Sequence, residues 1–117
     1  MSITEWRWSV VILCVALLRP FGVHAQVDDP GLETRLLRAA ASEESSGDLA
    51  GAEETLRRLL GERPTSTPGM FALERVFRAQ NRIREILPFA ERFADLEPNA
   101  SGPRLLELRV YTELDDK

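Results

Sequence analysis

The chain has 117 residues and a formal net charge of −4, from 19 acidic and 15 basic side chains. This acidic balance argues against a nucleic-acid-binding protein, which normally carries an excess of Lys and Arg. A single Cys and a single His exclude an internal disulfide framework and a zinc site built on several Cys residues.

Residues 1–25 have the layout of a secretory signal peptide. Residues 1–7 are short and polar, residues 8–18 form an almost unbroken apolar run, and Val23-His24-Ala25 is a cleavage site of the small-x-small type. The apolar run is only about half of the roughly 20 residues that a membrane span needs. We therefore predict cleavage after Ala25 and a periplasmic or secreted protein; membrane anchoring by an uncleaved signal is the alternative.

Residues 26–117 remain after cleavage, which is enough for one domain with a modest core and too few for two. Cleavage also removes Cys14 and His24, so the remaining domain has neither a thiol nor an imidazole for catalysis. Carboxylates are plentiful, but adjacent pairs such as Glu43-Glu44 point about 100° apart on a helix and do not share one site. We therefore expect no enzymatic activity, no cofactor, no metal site and no membrane association after cleavage.

Apolar residues recur at helical spacing throughout residues 26–117, and no β-branched run is long enough for a strand. Two helices with a turn at Ser46-Gly47-Asp48 between them are predicted from the positions Leu36, Ala39, Ala40, Leu49, Ala52, Leu56, Leu59 and Leu60. A second pair with a turn at Gln80-Asn81-Arg82 is predicted from Met70, Leu73, Val76, Phe77, Ile83, Ile86, Leu87, Ala90, Phe93 and Ala94. The sequence therefore predicts an all-α domain.

Proline marks the predicted helix starts. Asp29-Pro30, Thr67-Pro68 and Gly102-Pro103 each place a capping-type residue before a proline, which suits the first helical position because its missing N–H has no intrahelical partner there. Pro88 lies inside the fourth helical stretch. If that helix begins near Arg84, Pro88 falls in or just beyond the first turn, where its missing donor costs little.

A repeat with a period of about 34 residues relates the two helical pairs. Positions one period apart carry matching residue types, as in Gly47 and Asn81, Ala39 and Leu73, Leu59 and Phe93, and Pro64 and Pro98. Helix-turn-helix units of this length resemble the tetratricopeptide repeat, and the segment 47–64 is the closest match to that family's turn and second helix. The resemblance covers about 85 residues. An ordinary helical hairpin bundle with accidental spacing is the alternative.

The resemblance implies a short α-solenoid of about two and a half units, at residues 33–66, 67–100 and, in part, 101–117. In the family, the first helices of the units line a concave groove that receives peptides. The implied groove residues, which lie on the first helices at or near positions one period apart, are Leu37, Phe71, Arg75, Arg78, Leu105 and Arg109. Arg side chains suit carboxylates, so the expected partner is a protein or peptide, with an acidic segment favoured.

Two alternatives remain open for this surface and for the function. The Leu37, Phe71 and Leu105 positions can serve packing between repeats, with Arg78 paired to Glu44. The main functional hypothesis is an exported scaffold that binds another protein through the groove. The second is a dimerising structural module, hence a homo-oligomer, or the amino-terminal part of a larger cell-envelope protein.

Overall fold

A computed structural model describes residues 29–116, and the predictions for residues 1–25 lie outside this range. The described residues form, in chain order, α1 Leu32–Ser45, α2 Leu49–Glu62, α3 Thr67–Ala79, a 3₁₀ turn η1 Ile83–Ile86, α4 Leu87–Leu96 and α5 Ser101–Asp115. No strand occurs within residues 29–116. The predicted all-α class is confirmed.

Consecutive helices pack against one another along the chain. α1 packs on α2, α2 on α3, α3 on η1, and α4 on α5, while α1 also contacts α3. The connections between them are short, which places sequential helices side by side. As a result, α1, α3 and α5 alternate with α2 and with the η1–α4 segment.

The turn after α1 depends on a left-handed residue. Gly47 has φ of +84°, a conformation that costs glycine little and other L-residues more. The Asp48 amide donates to the Glu43 carbonyl at 2.8 Å, and the Gly47 amide donates to the Glu44 carbonyl at 3.1 Å. These two bonds form a Schellman motif, which satisfies the last carbonyls of α1 and reverses the chain into α2.

The turn after α3 has the same geometry one repeat period later. Asn81 has φ of +59°, and Asn is the residue that most readily replaces glycine in this region. The Arg82 amide donates to the Phe77 carbonyl at 2.8 Å, and the Asn81 amide donates to the Arg78 carbonyl at 3.1 Å. Both predicted turns are therefore confirmed, with the same hydrogen bonds.

Proline alters the start of the second helix in the second pair. η1 and α4 together cover residues 83–96, which is the span of α2 shifted by one repeat period. Pro88 has no N–H to donate to the Arg84 carbonyl, and this carbonyl accepts from the Leu87 amide instead. The first turn is therefore 3₁₀, and the α-helix begins at Leu87, later than the predicted start near Arg84.

The capping residues differ in detail from those predicted. Ser66, and not Thr67, caps α3, and its hydroxyl accepts from the Gly69 amide at 3.1 Å. α5 begins at Ser101 without a side-chain cap, so that Gly102 lies within its first turn. Proline does lie near the start of each of these helices, as its fixed φ favours.

The predicted apolar positions form one core. The fully or nearly fully buried members include Ala52, Leu56, Leu59, Leu73, Val76, Phe77, Ile86, Ala90 and Phe93. Leu106 and Val110 of α5, which the sequence pattern did not select, also belong to this core. Ala39 is the exception, because it is exposed whereas Leu73, which lies 34 residues later in the chain, is buried. Within residues 29–116 no helix precedes α1 to cover Ala39 as α1 and α2 cover α3.

Aromatic rings and guanidinium groups join α2, α3 and α4 at one surface. The Arg57 guanidinium lies 5.3 Å from the Phe77 ring centroid and 5.4 Å from that of Phe89, and Arg82 lies 5.3 Å from Phe77. Arg82 also donates to Glu53 at 2.6 Å and to Glu85. These cation–π contacts and ion pairs cover the side of the core next to the turn at Asn81.

The turn geometry predicts opposite effects for the same substitution at two glycines. A Cβ at Gly47 or Gly61 would meet no atom within 4 Å, but only Gly47 has positive φ. We expect Gly47→Ala to lower the free energy of unfolding by about 1–2 kcal/mol. Gly61→Ala in α2 should raise it by up to about 1 kcal/mol. Urea denaturation of both variants tests this, and equal shifts of the same sign would contradict the assignment of the turn.

Burial predicts the cost of enlarging an alanine in α2. Ala52 on α2 is fully buried in the core, whereas Ala50 on the same helix is exposed. Ala52→Leu should overpack the core and lower the free energy of unfolding by about 1–3 kcal/mol. Ala50→Leu is the matched control and should change it by less than about 0.5 kcal/mol. Thermal denaturation that shows equal stability for the two variants would contradict this packing.

Candidate functional site

The predicted groove residues of α3 and α5 lie on exposed helix faces. Phe71, Arg75 and Arg78 follow one another at spacings of four and three residues and are all exposed, because the opposite side of α3 is buried in the core. Leu105 and Arg109 occupy the equivalent exposed face of α5. The two faces are neighbours, since side chains of α3 and α5 contact each other directly.

A cleft of about 350 Å³ lies between these faces, lined by Glu74, Arg75, Arg78, Arg109 and Glu113. The structure thus brings together the three arginines that the repeat spacing selected. The apolar candidates Leu37, Phe71 and Leu105 do not line this cleft. The candidate site is therefore a charged cleft with apolar residues outside it, and not a single mixed strip.

Glu74 is the central residue of the cleft. Its side chain is only 8% exposed, and its Oε1 accepts from Arg78 Nη2 at 3.1 Å and from Arg109 Nη2 at 2.5 Å. Two guanidinium partners compensate the cost of burying this carboxylate. Glu74 therefore links α3 to α5 and holds Arg78 and Arg109 in place.

Glu113 completes this arrangement from α5. Both of its carboxylate oxygens accept from Arg78 Nη1 at 2.7 Å. The pKa of Arg78 is raised by its hydrogen bonds to Glu113 and then to Glu74. Sequence reasoning missed Glu113 as a cleft residue, because its contact joins residues 35 positions apart. Glu74 could have been found from the sequence, because it lies four residues before Arg78 on one helix, a spacing at which ion pairs form.

Arg75 forms a separate bidentate pair with Glu44. Arg75 Nε and Nη2 donate to the two Glu44 oxygens at 2.6 and 2.8 Å, which joins α3 to α1. The hydrogen bond from Arg75 lowers the pKa of Glu44, and the same bond raises the pKa of Arg75. The alternative pairing of Arg78 with Glu44 is wrong, because Arg78 is occupied by Glu74 and Glu113.

These pairs change the electrostatic character of the site. The carboxylates of Glu44, Glu74 and Glu113 offset the three arginines, so the cleft is a network of alternating charge and not a positive patch. Arg75 and Arg109 nevertheless keep more than half of their side-chain surface exposed. Their guanidinium groups can donate to a ligand carboxylate while they stay paired on the other side.

The apolar candidates differ in exposure along the chain. Leu37 is half-buried and packs against the core, which supports the packing interpretation for this residue. Phe71 is 36% exposed and Leu105 is 63% exposed. Phe71 is thus a partly buried aromatic ring one helical turn from Arg75, and Leu105 is largely exposed to solvent.

Residues 29–116 contain no group of three or more His, Cys, Asp or Glu side chains arranged to hold a metal ion. None of the helices in this range has the length and apolar character to cross a membrane.

The Glu44–Arg75 pair predicts a pH-dependent stability. Because the pKa of Glu44 is lowered in the folded state, the pair stabilises the protein above the ordinary Glu pKa of about 4.5 and loses this effect as the pH falls further. Glu44→Gln should cost about 0.2–1 kcal/mol at neutral pH and nothing in strong acid. The control is Glu54→Gln, at an exposed position of α2. A cost that is constant with pH would contradict the pairing.

Comparison of the chain with protein-family models, with curated proteins and with solved structures finds no match. Within residues 29–116, the exposed faces of α1, α3 and α5 and the charged cleft between α3 and α5 are the features that bear on function.

Proposed function

We propose that the chain is an exported scaffold of tetratricopeptide-like repeats that binds a segment of another protein. The binding surface is the groove formed by the exposed faces of α1, α3 and α5, with Phe71 as apolar anchor and Arg75, Arg78 and Arg109 as polar contacts. Leu105 is an exposed apolar residue on the α5 face of this surface, whereas Leu37 of α1 packs against the core. Export rests on the signal-like residues 1–25.

Recurrence of backbone hydrogen bonds supports the repeat part of the proposal. The amides of Leu32, Ser66 and Ala100 donate to the carbonyls of Asp29, Arg63 and Glu97 at 3.1, 3.1 and 3.0 Å. Successive members of this series are one repeat period apart. In addition, Arg63 Nη2 donates to the Asp29 carbonyl at 2.7 Å, which ties equivalent points of neighbouring units. Repeat proteins are built from such nearest-neighbour contacts.

The convergence of Arg75, Arg78 and Arg109 on one cleft is the single observation that carries the binding proposal. The buried Glu74 carboxylate holds two of these side chains in place, so little further ordering is needed when a ligand binds. The neighbouring Phe71 ring offers apolar area of the kind that dominates binding energy at interfaces. A partly apolar segment with an acidic residue matches this combination.

The internal ion pairs refine the kind of ligand. A ligand carboxylate meets guanidinium groups that already contact Glu44 and Glu74, so that charge attraction alone gives modest affinity. Rim charges of this kind mainly set the association rate and its salt dependence. The apolar contact at Phe71 therefore contributes more to affinity than any one arginine.

A pulldown from cell-envelope extract tests the proposal with matched variants. We expect Phe71→Ala to weaken capture of bound proteins by about tenfold or more, as for loss of an interface anchor. The double variant Arg75→Glu, Arg78→Glu should reduce capture mainly at low salt. The control is Arg58→Glu, Arg92→Glu, which makes the same charge change at exposed positions of α2 and α4.

Circular dichroism on each variant establishes that the helices are retained. Recovery of the same partners, in the same amounts, by wild type, Phe71→Ala and the Arg75, Arg78 variant would refute binding through the groove. An equal loss of capture in the Arg58, Arg92 control would assign the effect to net charge, and it would also refute binding through the groove.

A further inference from the structure

α5 carries a second exposed stripe that the groove does not use. It consists of Arg104, Leu108, Tyr111 and Asp115, at spacings of four, three and four residues, which place them on one side of the helix. Leu108 is 64% and Tyr111 is 49% exposed. At 3.6 residues per turn this stripe lies roughly 110° around α5 from the groove face. We call these four residues the α5 stripe.

The equivalent positions in the preceding unit are covered. One repeat period before Leu108 and Tyr111 lie Glu74 and Phe77, which are 6% and 0% exposed. The structure packs η1 against α3 in that unit. No helix within residues 29–116 follows α5 to cover its stripe in the same way. A helix is therefore the shape that fits against the α5 stripe.

The charges of the α5 stripe run against the dipole of their own helix. Arg104 lies in the first turn and Asp115 is the last helical residue, whereas a helix favours acids at its start and bases at its end. Neither charge is placed to stabilise α5 alone. The Arg104 contact to Glu107, at 3.8 Å between Nη1 and Oε2, is long, and the Arg104 side chain is mostly exposed.

The spacing of the stripe is symmetric about its centre. Arg104 lies four residues before Leu108, and Asp115 lies four residues after Tyr111. When two α5 helices run antiparallel with Leu108 of one against Tyr111 of the other, each Arg104 faces Asp115 of the other helix. A two-fold axis then passes between the two central pairs. Such a self-complementary patch is the requirement for an isologous dimer.

We propose that two copies of the chain associate through the α5 stripe in this antiparallel register. Leu108 and Tyr111 form the apolar centre, and two Arg104–Asp115 pairs close the ends. Opposite charges at the ends also disfavour the parallel arrangement, in which Arg104 would face Arg104. The groove face stays open in the dimer, so this inference does not depend on the proposed binding function.

Light scattering and sedimentation of the full chain test the proposal over a range of concentrations. The wild type should form dimers, and Leu108→Glu should raise the dimer dissociation constant at least about tenfold, since it places a charge at the apolar centre. Leu96→Glu is the matched control, because Leu96 is 55% exposed on α4 and lies outside the stripe. It should leave dimerisation unchanged.

Charge reversal tests the register. Arg104→Glu alone and Asp115→Arg alone should each weaken the dimer, and the double variant should restore it. All three changes favour the dipole of α5, so weaker association in a single variant is not a result of helix loss.

Three results would overturn the proposal. They are a wild type that stays monomeric at the highest concentration, association that is unaffected by Leu108→Glu, and a double charge reversal that fails to recover the dimer. Because every variant retains residues 1–28, association through that segment would persist in Leu108→Glu and would count against the α5 stripe.

Discussion

The left-handed residue that follows the first helix of each pair is the constraint on which the rest of the structure depends. At Gly47 and Asn81 the backbone takes positive φ, and the next amide bonds back to the last turn of the helix. This fixes where the chain reverses and in which direction the second helix leaves. The apolar faces of the two helices then meet in one register, and small residues such as Ala52 and Ala90 are fully buried in the core. A shift of one residue at either turn would rotate the following helix by about 100° and expose its apolar face.

Arginine–carboxylate pairs add a second level of organisation above the apolar core. Glu44 binds Arg75 between α1 and α3, and Glu74 binds Arg109 between α3 and α5. The more exposed Glu44–Arg75 pair contributes little to stability by itself, whereas the buried Glu74 carboxylate depends on its guanidinium partners. Both pairs orient guanidinium groups that face the cleft. The same contacts keep the cleft close to electrically balanced.

α5 differs from the earlier first helices because it exposes two faces at once. Its buried side carries Leu106 and Val110, and its groove face carries Leu105 and Arg109. The α5 stripe is a third side with its own apolar centre and opposite charges at its ends. The groove face and the α5 stripe therefore lie on different sides of one helix.

The sequence by itself determined the helical class, the two turns and most of the core, because these depend on local properties. Helical spacing of apolar residues predicts which face is buried, and glycine or asparagine predicts a left-handed turn. Helix starts were less well determined, since Pro88 changes the first turn to 3₁₀ through one missing hydrogen bond. Only the tertiary structure decided the composition of the cleft. The repeat spacing selected Arg75, Arg78 and Arg109, but the approach of α3 to α5 brought in Glu74 and Glu113 and excluded the apolar candidates. Sequence spacing places residues on a helix face, whereas the offset between packed helices, which the volumes of the core side chains set, decides which charges come within hydrogen-bonding distance.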